Sequence, residues 1–314
     1  MKIAVLTSGG DSSGMNACLS NLYDCATSHG IEIVGIKYGY KGLLEENFIE
    51  LNKNELDVAF NHGGSLIKTA RCPEFMQKEA VERAVKILNK HKIDCLVVIG
   101  GNGSLTGACE LYLSGANVIG IPGTIDNDLG YTSYTLGFDT AVLNAVDAIE
   151  KISQTIKSCD RGLIVETMGR HCADIAIYSA ICTKADLLIV KKDEMKDYVK
   201  EIKNIIDTKN KSPLVIVQEN IIDINELKEN VEKTTNVEFR ACQLGYVQRG
   251  GDPSPKDKIR AMQFAVRAIQ LIQEGKFNKA IGSQNGDVID MNIETAIKIP
   301  NVSDINLLKL IRNK

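Results

Sequence analysis

The sequence predicts an α/β protein of two similar doubly wound three-layer lobes with mainly parallel sheets. Three observations predict it. Apolar runs of strand length recur along the chain, amphipathic helical stretches lie between them, and glycine-rich turns close several of the runs. The run Ile3 to Leu6 reads as a buried strand. The turn Ser8-Gly9-Gly10-Asp11-Ser12-Ser13-Gly14 follows it and opens a helix on which Leu19, Leu22 and Ala26 share a face. Ile31 to Ile36 is the next strand, and Val81, Ala84, Val85 and Leu88 then mark a helix. Cys95 to Ile99 forms a third strand, ending in Gly100-Gly101-Asn102-Gly103-Ser104 at a helix start. Val118 to Ile121 is the fourth, ending in Pro122-Gly123-Thr124-Ile125-Asp126-Asn127-Asp128. Such alternation implies right-handed βαβ crossovers.

A helix over Thr140 to Ile156, with Val142, Val146, Ile149 and Ile152 on one stripe, starts the second series. Strands follow at Gly162 to Glu166, Ala185 to Val190 and Leu214 to Gln218. A helix over Lys256 to Gln273 carries Ile259, Met262, Ala265, Val266, Ile269 and Ile272 as its apolar face. The lobe boundary is expected near residue 138. The run Lys191-Lys192-Asp193-Glu194 reads as a solvated loop.

Composition narrows the function. A chain of 314 residues has length for about two domains. Its net charge of -3 gives no global footprint for nucleic acid. The nine cysteines are scattered with no C-x-x-C pair, which fits reduced thiols and a cytoplasmic protein. His62, His91 and His171 lack ligand-like spacing. The stretch Met1 to Thr7 is too short in apolar residues for a signal peptide, and no segment approaches a membrane span.

The strand-ending turns carry the chemistry. Glycines let backbone approach a phosphate, and a helix N-terminus offers free N–H groups. Neither glycine turn is G-x-G-x-x-G, and G-x-x-x-x-G-K-[ST] is absent, so a dinucleotide dehydrogenase and a Walker-type site are disfavoured. Two carboxylates, Asp126 and Asp128, end a third strand on what is expected to be the same sheet edge, where open parallel sheets bind ligands. Two glycine cradles and an acidic turn fit a nucleoside triphosphate with Mg²⁺. Arginines beside strand ends, Arg71, Arg170 and Arg249, fit an anion-filled cleft.

The segments SGGDSSGMNA, TARCPEF, GGNGS, PGTIDND, GFDTA, MGRH and GYVQRGGDPS, in this order, make the chain similar to the bacterial-type 6-phosphofructokinases over residues 2 to about 300. The resemblance implies transfer of the ATP γ-phosphoryl group to the 1-hydroxyl of fructose 6-phosphate, in a cleft between the lobes. It implies an ATP-binding lobe of residues 1–137 and 249–302, and a sugar-phosphate lobe of residues 138–248 and 303–314. Asp126 would take the hydroxyl proton, Thr124 would orient the reactants, Asp128 would lie near the metal and Arg170 would stabilise the transferring group. Gly10, Tyr40, Arg71, Cys72, Gly101, Asn102, Gly103, Ser104 and Gly107 match ATP-binding positions. Met168, Gly169, Glu219, Tyr246 and Arg249 match sugar-phosphate positions, as do Arg161 and Arg240 contributed by a neighbouring subunit. Shared sites of that kind imply a homotetramer. Glycines at 103 and 123, where pyrophosphate-using relatives carry Asp and Lys, favour ATP.

The chain departs from that family at several positions. Asn102 stands where an aspartate serves Mg²⁺, which removes one negative charge beside the cation. Tyr246 replaces a histidine and cannot act as a cation. Ser20 and Asp24 replace two arginines of the effector site, while Asp186 keeps an acidic group there, so regulation by a diphosphate is disfavoured. These departures motivate two alternatives to the kinase reading, a non-catalytic binding paralogue and a kinase of tagatose 6-phosphate or sedoheptulose 7-phosphate.

Overall fold

The computed structural model describes residues 1–209, 211–303 and 307. Of the segment 303–314 assigned above to the second lobe, residues 304–306 and 308–314 lie outside the described residues. The elements in order are β1 (Lys2–Ser8), α1 (Met15–Ser28), β2 (Glu32–Ile36), α2 (Gly39–Leu44), β3 (Phe48–Glu50), α3 (Lys53–Ala59), α4 (Lys78–Lys90) and β4 (Cys95–Gly100). There follow α5 (Asn102–Leu113), β5 (Val118–Pro122), α6 (Phe138–Lys157), β6 (Gly162–Thr167), α7 (Asp174–Cys182), β7 (Leu187–Ile189) and α8 (Met195–Lys209). The last are β8 (Leu214–Gln218), α9 (Ile224–Thr235), β9 (Phe239–Gln243), α10 (Pro255–Gln273), β10 (Lys279–Gln284), β11 (Asp287–Asn292) and α11 (Ile293–Ala296). The chain divides into two compact units, Met1–Thr140 with Gly250–Asn301, and Ala141–Arg249 with the segment from Val302.

Unit 1 is built on a sheet of order β11-β10-β5-β4-β1-β2-β3. The pairs from β2 through β10 are parallel, and the outer strands β3 and β11 pair antiparallel. Alternation along the strands separates two cores. Ile3 and Val5 of β1, with Val97 and Ile99 of β4, join the layer that includes Leu19 and Leu22 of α1 and Phe264 and Ala268 of α10. Ala4, Leu6, Leu96 and Val98 face the opposite layer with Ala84 and Leu88 of α4 and Leu105 and Ala108 of α5. This is the three-layer arrangement expected from the sequence.

Unit 2 holds the parallel sheet β7-β8-β6-β9. Ile164, Val215 and Val217 pack on Tyr198 and Ile202 of α8 and Leu227 and Val231 of α9. Two expectations change in detail. The strand read at Ala185 to Val190 shortens to β7, because Asp186 turns its carboxylate onto the Leu214 N–H at 3.1 Å and onto Lys211 at 2.7 Å. On α10 the buried face is Ala261, Phe264, Ala265, Ala268, Ile269 and Ile272, while Ile259, Met262 and Val266 are exposed. That face shares one core with Leu19 and Leu22 of α1.

One buried carboxylate organises the part of unit 1 that carries the acidic turn. Asp257 is fully buried at the third position of α10, whose Ser254 N-cap accepts the Asp257 N–H at 3.1 Å. Its carboxylate accepts from Gly137 N–H at 2.7 Å, Thr140 N–H at 3.0 Å, Thr140 Oγ1 at 2.5 Å and Tyr134 Oη at 2.9 Å. Burial pushes its pKa up, against the lowering effect of these donors. Substituting Asp257→Asn forces an amide N–H₂ against two of those donors. The expected loss is about 2–4 kcal/mol of stability, read from urea denaturation midpoints.

Candidate active site

The C-terminal ends of β1, β4 and β5 are in register, Ser8 beside Gly100 and Gly100 beside Pro122. The three turns expected to bind substrate therefore leave one sheet edge side by side. Their contacts are close. A Cβ on Gly9 would lie 3.3 Å from Ser104 Oγ, and one on Gly101 would lie 3.3 Å from Thr124 Cβ. Gly10 is exposed on the first turn. Helix α5 starts at Asn102 behind Gly101 with no side-chain cap, so its first N–H groups are available to an anion. Asn102 and Gly103 are exposed at that N-terminus.

The acidic turn is held from behind. Leu136 N–H donates to Pro122 O at 2.9 Å, and Thr124 N–H donates to Leu136 O at 3.1 Å. Thr135 Oγ1 donates to Thr124 O at 2.7 Å and to Asn127 Oδ1 at 3.3 Å. Asn127 is left-handed, with φ 52°, so the chain reverses sharply between the two carboxylates. Asp126 is 6% exposed, and its N–H donates to Thr124 Oγ1 at 3.2 Å. Asp128 is half-buried. Among the described residues no three His, Cys, Asp or Glu side chains gather into a metal cage. A donor set of one amide and a few carboxylates suits Mg²⁺, which keeps waters and phosphate oxygens in its shell.

Three residues matched to ATP-binding positions serve one packing unit. Tyr40 is 4% exposed, stacks on Phe75 at 4.0 Å and donates its hydroxyl to Ser104 O at 2.5 Å. A Cβ on Gly107 would meet the Tyr40 ring at 2.9 Å. Gly107 thus makes room for Tyr40, and Tyr40 braces the turn at Ser104. Arg71 is exposed and Cys72 half-buried just before the short turn Pro73–Met76. The two glycines used to argue for ATP also differ. A side chain at Gly103 would enter open space, whereas one at Gly123 would meet Ile99 at 3.0 Å and Met15 at 3.2 Å. Core packing accounts for Gly123, so only Gly103 keeps its bearing on the phosphate donor.

In unit 2 the sugar-phosphate residues fall on two opposite edges of the sheet. Met168, Gly169 and Arg170 leave the C-terminal end of β6, and Glu219 leaves that of β8. Glu219 Oε1 accepts from Gly169 N–H at 3.0 Å and Arg170 N–H at 2.6 Å. Tyr246 is 81% exposed, and the Arg249 guanidinium lies 5.7 Å from its ring centre. Arg161 and Arg240 lie at the N-terminal ends of β6 and β9. There Glu238 bridges them, at 2.6 Å to Arg161 Nε and 2.6 Å to Arg240 Nη2, and the two arginines hold its pKa down. The six residues of β6 at ~3.3 Å each separate the two edges by about 20 Å.

The residues expected at an effector site are otherwise engaged. Ser20 is buried, Asp24 pairs with Lys53 at 2.8 Å, and Asp186 pairs with Lys209 and Lys211. Sequence reasoning missed the supporting groups Asp257, Gln218 and Gln248. For Asp257 a signal existed in Ser254-Pro255-Lys256-Asp257, a cap residue followed by proline and a carboxylate at the third helical position. It also missed Glu166, 8% exposed beside Gln243, whose pKa is pushed up by burial and by the charges of Glu219 and Asp223.

The sequence model of one family, described as phosphofructokinase, matches residues 2–272. A Clostridium botulinum protein named ATP-dependent 6-phosphofructokinase is 42% identical over 311 residues, covering 98% of this chain and 97% of that one. A Clostridioides difficile protein of the same name is 42% identical over 304 residues, covering 96% and 95%. The solved Saccharomyces cerevisiae phosphofructokinase superposes with TM-score 0.84 at 28% identity, covering 99% of this chain. This chain spans about half of that yeast chain, 47%. A pyrophosphate-dependent phosphofructokinase from Marinobacter aquaeolei gives TM-score 0.84 at 19% identity, covering 97% of this chain and 86% of that one, a likeness of fold alone. No described helix is long and apolar enough to cross a membrane.

A pH dependence follows from Glu166. Its folded pKa lies above its ordinary value near 4.5. Its contribution to stability is therefore complete below that value and is lost as pH rises through the raised folded value. Urea midpoints measured from about pH 4.5 to about pH 7.5 should fall less steeply for Glu166→Gln than for the unmodified protein. Parallel curves would disprove this.

Proposed function

The chain belongs to the phosphofructokinase family, and we infer from that premise that its three aligned turns are the phosphate-handling half of an ATP-dependent 6-phosphofructokinase. It transfers the ATP γ-phosphoryl group to the 1-hydroxyl of fructose 6-phosphate, giving fructose 1,6-bisphosphate, a reading supported by the names of relatives matched over nearly their whole length. The observation that carries the reading is the register of Ser8, Gly100 and Pro122, which sets two glycine turns beside an acidic one. The kinase reading is preferred over a non-catalytic paralogue because the curated relatives are named as kinases.

The roles follow from the chemistry of each group. Gly10, Gly101, Gly103 and Ser104 offer backbone and hydroxyl groups to the nucleotide phosphates, with Arg71 and Cys72 flanking and Tyr40 and Gly107 as the wall behind. Asp126 takes the proton of the attacking hydroxyl, and Thr124, whose Oγ1 already accepts the Asp126 N–H, fixes its approach. Asp128 and the Asn102 amide oxygen would hold Mg²⁺. When bound, that ion neutralises charge on the phosphate oxygens. Arg170 stabilises the phosphoryl group in transit, since such transfers depend on positioned cations more than on covalent chemistry. Met168, Gly169, Glu219, Tyr246 and Arg249 hold the sugar phosphate.

Arg161 and Arg240 serve a neighbouring copy's substrate, because the sheet edge that bears them is about 20 Å from Glu219 and Arg170. A homotetramer with shared sites satisfies that separation. The open space at Gly103 favours ATP over pyrophosphate. The setting is the cytoplasm.

A coupled assay of ADP formation tests the assignment. Asp126→Asn should lower kcat by about 10²–10⁴-fold while leaving the KM for ATP nearly unchanged. Pyrophosphate should support no comparable rate. Asn102→Asp restores a full charge beside the cation, so the Mg²⁺ concentration for half-maximal rate should fall by roughly tenfold, as one charge-assisted contact allows. An unchanged Mg²⁺ requirement would refute the role given to position 102.

A further inference from the structure

The backbone of the Met168–Arg170 turn is clamped by three side chains, two of which the reading above leaves without a role. Gln248, fully buried, accepts the Met168 N–H at 3.2 Å and donates Nε2 to Gly245 O at 3.2 Å. Glu219 accepts the Gly169 and Arg170 N–H groups. Gln218, 4% exposed, donates Nε2 to Arg170 O at 2.9 Å. Arg170 is thus held at both its N–H and its carbonyl by the two residues that end β8. Its own φ of 50° lies in the left-handed region, which a non-glycine residue keeps only where its surroundings fix it.

Gln218 is hard to explain by packing. Alternation along β8 sends Val215 and Val217 into the apolar core and Gln218 to the other face. A nearly buried amide there is costly unless bonded, and the Arg170 carbonyl supplies that bond. Arg170 itself is exposed, so its side chain extends outward from a backbone that is fixed within.

We propose that Gln218 is a positioning residue for phosphoryl transfer, holding the left-handed Arg170 backbone from which the guanidinium reaches the reacting phosphate. The inference rests on the reading that Arg170 acts on the transferring group. Steady-state kinetics of four enzymes test it: unmodified, Arg170→Ala, Gln218→Met and the double variant. Gln218→Met should lower kcat roughly ten- to hundredfold with the KM for ATP unchanged, as a displaced catalytic group does. In the Arg170→Ala background the same substitution should change kcat by less than about twofold, because its effect passes through a group already removed. Equal losses in both backgrounds would mean a general structural role and overturn the proposal. An Arg170→Ala enzyme with full kcat would instead overturn the role of Arg170, and the proposal with it.

A second variant keeps the test independent of folding losses. Gln218→Glu has the same size, but only its protonated carboxyl donates to Arg170 O. The site is nearly buried and adjoins Glu219, and burial disfavours the charged form of a carboxyl placed there. Its kcat relative to the unmodified enzyme should rise as pH falls from about 8 to about 6. A flat ratio would count against the hydrogen bond.

Discussion

The support of the acidic turn in unit 1 depends on the Asp257 carboxylate, which ties down three residues of the segment behind that turn. Strand β5 ends at Pro122, and the chain returns through Tyr134 to Thr140 to pair beside it. That return is tied down where Tyr134, Gly137 and Thr140 all donate to Asp257. Thr135, between those ties, in turn holds Thr124 O and Asn127. Asp126, the proposed base, is therefore positioned through a chain of hydrogen bonds that begins on α10, more than a hundred residues away in sequence. Leaving that carboxylate buried is tolerable because each of its oxygens is met by donors.

The strands and turns of the active edge were legible in the sequence because their determinants are local. β1, β4 and β5 are nearly continuous apolar runs, as strands covered on both faces must be, and each ends in a glycine or an acidic turn. The edge strands β3, β9 and β11 were not read, for a shared reason. Phe239-Arg240-Ala241-Cys242-Gln243 and Asp287 to Asn292 mix polar and apolar residues without clean alternation, and lie at sheet edges where one side is solvated. The α10 stripe was misjudged for a different reason. Periodicity finds apolar residues at helical spacing, but the face that shares a core with α1 is the one carrying Ala261, Phe264 and Ala268.

At the candidate site, the sequence named the groups proposed to act on substrate better than those that hold them. Asp126, Thr124 and Arg170 stand out by type and place. Gln218, Gln248 and Asp257 are polar residues that each bond backbone atoms distant in sequence, and no spacing rule reveals such pairs. Tyr40 and Gly107 show the converse. Each matched a ligand-binding position, yet their closest relation is to one another, ring against glycine. A position near a nucleotide can be fixed by the wall as much as by the ligand.

Charge explains why the departure at position 102 need not silence the enzyme. An aspartate there would add a full negative charge at the N-terminus of α5, where the helix dipole and the free N–H groups already favour an anion. With Asn102 that favourable field is left to the nucleotide phosphates, which bring several negative charges of their own. On the proposed assignment the cation would keep the Asn102 amide oxygen and Asp128 beside phosphate oxygens and water, a shell that Mg²⁺ commonly accepts. The weakened term is the protein's direct hold on the metal, while the hold on the nucleotide gains what the carboxylate would have repelled. Transfer depends on where the phosphoryl group and its cations stand, and the register of Ser8, Gly100 and Pro122 that supports the proposed site is not touched by the substitution.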